Sequence, residues 1–384
     1  MKKKIFIASE FKCILYEKEY YLAPKIYTIY KRYSDFFGGI VLCSRIERKT
    51  NLPEGYKKAS FIVKVIEERS LLAALLHFYD KKMCKEIEQC DLIIGRLPSI
   101  IGYRAFGCAK KLNKKFLAEC MGEAWESYWN HSFFGKLIAG YMELQMRNII
   151  KKAHYVLYVT EKFLQNKYPN QNKTIGVSNV VLKNVSEETL KKRLEKIKSF
   201  DSKRFSIATV AGVNVKAKGH KFVIKAIAKL RKKGFKIDYY LVGGGNQKYL
   251  KNIAKRYKII EQVHFLGELS LNQVLVALDR IDLYIQPSLQ EGLPRAVIEA
   301  MSRGCPCLGA NTAGIPELLN KECIFKRKSA KAIIQAIIQV TQKDLSIYAV
   351  KNFEKSKFYL ENELNKKRNE YFNSIYNDLI GKNI

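Results

Sequence analysis

Leu283-Tyr284-Ile285-Gln286-Pro287-Ser288 leads into Leu289-Gln290-Glu291-Gly292-Leu293-Pro294 and then Arg295-Ala296-Val297-Ile298-Glu299-Ala300-Met301. The first six residues have the apolar run of a buried strand, the next six the Gly and Pro of a loop, and the last seven the spacing of a helix. Pro294 suits the first helical position, where its missing N–H loses no intrahelical bond. On the N-terminal side, Val263-His264-Phe265-Leu266-Gly267-Glu268-Leu269 reads as a strand and 271–281 as a helix. On the C-terminal side, Gly304 stops the helix, Cys305–Ala310 reads as a short buried strand, and Gly314-Ile315-Pro316-Glu317 turns into another helix. Strands alternating with helices at this spacing predict an α/β fold with a parallel sheet. Ligands of such sheets bind beyond the carboxyl ends of the strands, where the Glu291 loop falls.

Glu291 lies in that loop, and Glu299 follows eight residues later, inside the helix. The start of a helix offers free N–H groups and the positive end of a dipole, which attract phosphate. Carboxylates on either side could hold the hydroxyl groups flanking a bound diphosphate, a geometry suited to a nucleotide-sugar. An isolated pair at this spacing is more often two solvated glutamates on an amphipathic helix, so the surroundings decide.

Those surroundings include Lys218-Gly219 opening a helix, Val242-Gly243-Gly244-Gly245 ending a strand, and Val263-His264-Phe265-Leu266-Gly267. They continue with Pro287-Ser288-Leu289-Gln290-Glu291-Gly292, Glu299–Pro306 and Ala313-Gly314-Ile315-Pro316-Glu317. In this order, the segment from about 205 to 320 resembles the nucleotide-sugar domain of the glycosyltransferase family 4 enzymes. The resemblance implies the GT-B fold, two Rossmann-like domains facing a central cleft. It also implies a retaining, hexosyl-type transfer from a nucleotide-sugar donor to a glycan or lipid-linked acceptor, in surface-polysaccharide synthesis. By the same resemblance Lys218 binds phosphate, Glu299 accepts hydrogen bonds from the ribose hydroxyls, and Glu291 faces the transferred sugar. The backbones of Gly244, Gly292 and Leu293 then meet phosphate or sugar oxygens. The family often has an arginine five residues before the lysine; here Val213 stands there, and Lys216 is the candidate replacement.

A leaving diphosphate accumulates negative charge that must be stabilised. The chain contains no Asp-x-Asp pair to hold a metal, so cations and helix ends are expected to do this, with no metal or other cofactor. In a retaining transfer the leaving phosphate itself can take the acceptor's proton.

Before residue 150 the resemblance is looser. Strands are expected at 4–9, 38–44, 61–66, 91–98, 116–120 and 154–160, with helices at 20–34, 67–88 and 135–153. This alternation implies a first Rossmann-like, acceptor-side domain over 1–180 and a nucleotide-sugar domain over 181–362. Between them, 186–203 reads as a charged linker or surface helix, and 344–379 as polar helix. The resemblance adds that the last segment, 363–384, crosses back to the first domain. The family's acceptor-side histidine is absent after Phe116–Cys120, leaving His131, Glu119 and Glu123 as candidates. Its glycine-rich loop after the first strand is replaced by Glu10-Phe11-Lys12-Cys13. Arg96 and Arg104 are candidates for an acceptor phosphate, although solitary arginines more often form surface ion pairs.

The 384 residues give room for two domains. No run reaches the length of a membrane span, and the apolar start is too short for a signal peptide. Nine cysteines show neither zinc nor disulfide spacing, which predicts core roles and a cytoplasmic protein. The net charge of +33 fits a lysine-rich background, a nucleic acid or an anionic membrane surface. No nucleic-acid module is visible, so an anionic membrane partner is expected, through stretches such as Lys110-Lys111 and Lys151-Lys152. Two alternatives stay open: a GT-B relative of other chemistry such as an epimerase, and a non-catalytic basic protein binding membrane or nucleic acid.

Overall fold

A computed structural model describes residues 3–65, 80–130 and 132–381. The chain forms two units, Met1–Val177 with Lys366–Ile384, and Ser178–Asn365.

In the first unit the described strands are β1 (Lys3–Tyr16), β2 (Glu19–Leu22), β3 (Gly38–Arg48), β4 (Lys57–Lys58), β5 (Ile62–Val65), β6 (Leu92–Leu97), β7 (Lys115–Cys120), β8 (Tyr155–Tyr158) and β9 (Lys173–Gly176). The parallel strands lie in the order β5-β3-β1-β6-β7-β8-β9, and β2 with β4 extends the far end of β1 antiparallel. Ile5, Phe6, Ile7 and Ala8 are all buried, as a strand covered on both faces requires. The chain does not turn at Glu10-Phe11-Lys12-Cys13: β1 runs on through it, with a register irregularity between Ala8 and Lys12.

The helix expected over 20–34 is split. Glu17 and Lys18 both take positive φ, making the two-residue turn that folds β2 back onto β1. The helix then starts at Pro24, its first residue, and runs to Phe37. Of the helix expected over 67–88, residues 67–79 lie outside the described residues, and Lys81–Glu88 is helical. Contrary to expectation, not every cysteine is a free core residue. Cys84 on that helix and Cys108 on the helix Ile100–Lys111 form a disulfide, their Cα atoms 5.3 Å apart, while the other seven are free and buried. Helix packing brings the two together across 24 residues, a pairing that spacing alone does not reveal.

The second unit has β10 (Arg204–Val210), β11 (Lys236–Val242), β12 (Val263–Gly267), β13 (Leu283–Gln286), β14 (Cys307–Ala310) and β15 (Ile324–Phe325). Their order is β12-β11-β10-β13-β14-β15, with every pairing parallel. Gly304 ends the helix Arg295–Ser302 with φ of 60°, the left-handed conformation glycine adopts without penalty. The segment 186–203 contains the helix Glu187–Lys198, held by Leu190 against Ala349 and Phe353. Its Arg193 is buried and donates to the carbonyls of Ile281 (2.6 Å), Leu278 (2.7 Å) and Arg303 (3.2 Å). A cation thereby satisfies carbonyls left open at helix ends.

The polar helix expected over 344–379 is two helices, Leu345–Ser356 and Glu361–Leu379. Between them Leu182 exchanges backbone hydrogen bonds with Tyr359 and Glu361, a tertiary contact that breaks the helical ladder. From Lys366 onward the last helix belongs to the first unit. There Tyr371, Phe372 and Ile375 pack with Tyr33 and Phe37, and the Tyr371 hydroxyl meets the carbonyls of Val156 (3.0 Å) and Lys173 (2.9 Å). Among the described residues no helix is long and apolar enough to cross a membrane.

Candidate functional site

In the second unit β10 and β13 are neighbours, pairing Ile207 with Leu283 and Ala208 with Tyr284. The chain leaves β10 toward β11 on one side and leaves β13 toward β14 on the other. The order reverses between them, so the loops beyond their carboxyl ends diverge and open a crevice. Those loops are 211–219 and 287–294.

The two loops are tied at the backbone, the N–H of Leu289 donating to the carbonyl of Ala217 at 2.7 Å. Gly219 permits their close approach. Its φ is 77°, and a Cβ there would lie 2.0 Å from the Pro287 carbonyl oxygen. This contact brings the side chains of Lys218 and Glu291 together, with Nζ 2.6 Å from Oε1. The carboxylate is largely buried and the lysine more open. Gln286 supports Glu291 from below, its Nε2 donating to the same Oε1 at 3.1 Å and to Ser288 Oγ at 2.8 Å. The Tyr284 hydroxyl in turn donates to Gln286 Oε1, so the glutamate stands on a chain of polar groups rooted in β13.

The loop is also held from β14. Thr312 Oγ1 donates to the Ser288 carbonyl at 2.9 Å, and Gly314 N–H to the Gly292 carbonyl at 2.9 Å. Pro294, expected as the first helical residue, is the cap residue instead, and its ψ of 117° leaves the helix to begin at Arg295. No side chain caps that start. Glu299 is buried, with Arg295 Nη1 3.6 Å from its Oε1 one turn earlier. It is not a solvated glutamate on an outer face.

Two of the three glycines after β11 take positive φ where a side chain would collide. A Cβ on Gly243 would lie 2.3 Å from the Ala211 carbonyl oxygen, and one on Gly245 2.3 Å from Asn214 Oδ1. Between them the Gly244 carbonyl accepts from Val213 N–H at 3.1 Å. The glycine run therefore lets the β11 loop lie directly on the β10 loop. Val213 is buried, and the exposed Lys216 has its Nζ 5.3 Å from the centre of the Tyr249 ring.

His220, the first residue of the helix after Gly219, is a component that motif reading passes over. Its Nδ1 is 3.1 Å from the Tyr239 hydroxyl and its Nε2 3.4 Å from the Gly212 carbonyl. Tyr239 donates to Thr209 Oγ1 at 2.9 Å, and Thr209 to the Ile285 carbonyl at 2.7 Å. Burial pushes the imidazole down to about 4, so it is neutral at pH 7. This network joins β10, β11 and β13 directly beneath the Lys218 loop. The available signal was a histidine at the first helical position, directly after Lys218-Gly219.

The acceptor-side candidates fare differently. Arg96 and Arg104 are buried, not surface groups. Arg96 on β6 pairs with Glu119 on neighbouring β7, Nε to Oε2 at 2.8 Å, and its guanidinium lies 4.8 Å from the Phe11 ring centre. A strand residue facing the covered side of a sheet must bury its charge, and does so only with a partner. Glu123 is paired with Lys167. His131 lies outside the described residues. Glu10, in place of a glycine-rich loop, accepts from Ile101 N–H at 3.2 Å at the start of a helix and pairs with Arg45.

Comparison with known proteins agrees with this architecture. The family model described as glycosyl transferases group 1 matches residues 190–356. Protein CapJ of Staphylococcus aureus is 32% identical over 345 residues, covering 87% of this chain and 85% of CapJ. The Escherichia coli O-antigen biosynthesis glycosyltransferase WclY is 30% identical over 124 residues, 32% of this chain and 33% of WclY. HepE of Anabaena, solved in complex with UDP, superposes with a TM-score of 0.64 at 16% identity, over 97% of this chain and 100% of HepE. The lipopolysaccharide outer core galactosyltransferase WaaB gives 0.64 at 14% identity, over 97% and 99%. The long match to CapJ and the family model over the switch-point unit lead to one conclusion: the chain belongs to the group 1 glycosyl transferases and has the GT-B fold.

Proposed function

We propose that the protein transfers a hexose from a nucleoside diphosphate donor, with retention of anomeric configuration, to a glycan or lipid-linked acceptor of surface-polysaccharide assembly. The observation that carries this reading is the Lys218–Glu291 pair, locked at the switch point by backbone contacts. UDP bound to HepE makes a uridine donor the first to try.

In this account the diphosphate lies against the uncapped start of the helix Arg295–Ser302. Lys218 leaves Glu291 and donates to the diphosphate; the freed Glu291 accepts hydrogen bonds from sugar hydroxyls. The backbones of Gly244, Gly292 and Leu293 complete the lining, and Lys216 adds a second cation. Glu299 takes the two ribose hydroxyls on its two oxygens. As the bond between C1 and the leaving oxygen breaks, charge grows on the diphosphate and Lys218 with the helix start stabilises it. The acceptor oxygen bonds to C1 on the same face, and its proton passes to the departing phosphate oxygen. Protein groups thus compensate the charge without a metal. His131 is the acceptor-side candidate of the first unit. A lipid-linked acceptor places the enzyme at the cytoplasmic face of an anionic membrane.

Transfer from an α-linked nucleotide-sugar, with the product linkage read by NMR, tests this reading. An α product supports it; a β product excludes retention. Release of a configurationally altered nucleotide-sugar without acceptor would favour an epimerase.

A further inference from the structure

The helix Phe133–Lys152 is apolar on two opposite sides. At about 100° per residue, Ala139, Met142, Met146 and Ile149 fall on one arc, and all four are buried in the first unit's core. Phe133, Phe134, Leu137, Tyr141 and Leu144 fall on the opposite arc. Of these, Phe133, Phe134, Leu137 and Leu144 are between 66% and 73% exposed. A water-facing helix carries one apolar stripe; a second stripe of this size marks a surface that is covered by something else.

The patch continues onto the preceding helix, Ala124–Trp129. Trp125 and Trp129 stack with ring centres 5.3 Å apart, and both are exposed. Trp125 lies across the longer helix at Gly140, where an added Cβ would be 3.6 Å from its ring. Cations border the patch: Lys136, whose Nζ is 5.8 Å from the Trp129 ring centre, and Arg147, Lys151 and Lys152 in the last turns of the longer helix. That helix has one acidic residue, Glu143, which is buried and pairs with Arg147 at 2.9 Å, leaving the lysines to supply the charge at the border.

We propose that this pair of helices lies in the surface of an anionic lipid bilayer, Trp125, Trp129 and the Phe133–Leu144 stripe entering the acyl boundary while the lysines meet headgroup phosphates. The assignment rests on the membrane-associated reading above and gives that reading its contact surface. Exposed tryptophan and phenylalanine beside lysine are the composition of an interfacial helix, and the rings suit the headgroup level. Net charge decides between occupants. At +33, two copies of this chain repel each other, whereas an anionic surface attracts each one.

The chain's only two tryptophans both lie in the patch, so tryptophan emission, excited selectively, reports on it alone. The test adds phosphatidylcholine vesicles, with and without phosphatidylglycerol, to the full chain and to Leu137→Glu/Leu144→Glu, following tryptophan emission and co-sedimentation. Thermal melting and UDP binding show that the variant is folded. The expected result is a blue shift with the phosphatidylglycerol vesicles, and binding weakened roughly tenfold or more in the variant. Sedimentation of the wild type without an emission change, or equal binding by the variant, overturns this surface and leaves the membrane reading standing. No vesicle binding by the wild type overturns both. A dimer that the variant dissociates makes the patch a self-interface and also overturns the proposal.

Discussion

The Lys218 ammonium and the Glu291 carboxylate, 73 residues apart in the chain, meet at 2.6 Å where strand order reverses. Each neutralises the other while no anion is present. Under the proposed function an incoming diphosphate must draw Lys218 away, which makes Glu291 a competitor for it as well as the proposed sugar ligand. Glu291→Gln is expected to bind a bare nucleoside diphosphate severalfold more tightly, and to lose transfer by about a hundredfold. Calorimetry and initial rates on the same preparation check the two opposite signs.

The loop junction is expected to be intolerant of any side chain at Gly219. Gly219→Ala places a Cβ 2.0 Å from a backbone oxygen at a φ of 77°. We expect a loss of about 2–4 kcal/mol in stability, measured by urea unfolding. The loss should come with weaker nucleotide binding, because the same contact aligns Lys218.

His220 predicts a pH dependence. Its folded-state value is lowered from 6.5 to about 4, so the unfolded chain binds the extra proton between those values. The associated stability is complete above about pH 6.5 and is lost as pH falls toward 4, amounting to about 3 kcal/mol. His220→Gln should flatten the slope of unfolding free energy against pH by about one proton in that window. An unchanged slope means that another group governs it.

Arg96 and Glu119 are expected to be a structural pair. Removing either partner leaves a buried charge, and Arg96→Met or Glu119→Leu should each cost about 3–5 kcal/mol. The double replacement should cost less than either single one, and a double-mutant cycle in urea measures the difference.

The loops carrying Lys218 and Glu291 were legible because their signals are local. A strand, a loop with Gly and Pro and a helix are contiguous around Glu291, and the same holds around Lys218. Their meeting follows from the strand order β11-β10-β13-β14, which alternating strands and helices alone do not give. What could not be read depends on contacts distant in sequence. One arginine does not display its partner, so Arg96 passed for a surface group. Glu10–Cys13 looked like a replaced loop because nothing nearby shows that β1 continues into a hairpin. The break at Lys357–Tyr359 depends on Leu182, and the Cys84–Cys108 bond on helix packing. The second apolar stripe of the helix Phe133–Lys152 was hidden for another reason: two opposed stripes look like one continuous hydrophobic helix.

The most direct measurement is calorimetric titration of the wild type, Lys218→Ala and Glu299→Ala. The ligand is whichever of UDP, GDP and ADP most raises the wild type's melting temperature. Saturable binding is expected for the wild type, weakened roughly tenfold or more by Lys218→Ala and largely abolished by Glu299→Ala, with both variants folded. Wild-type affinity in both folded variants would contradict the placement of the donor at the β10–β13 switch point.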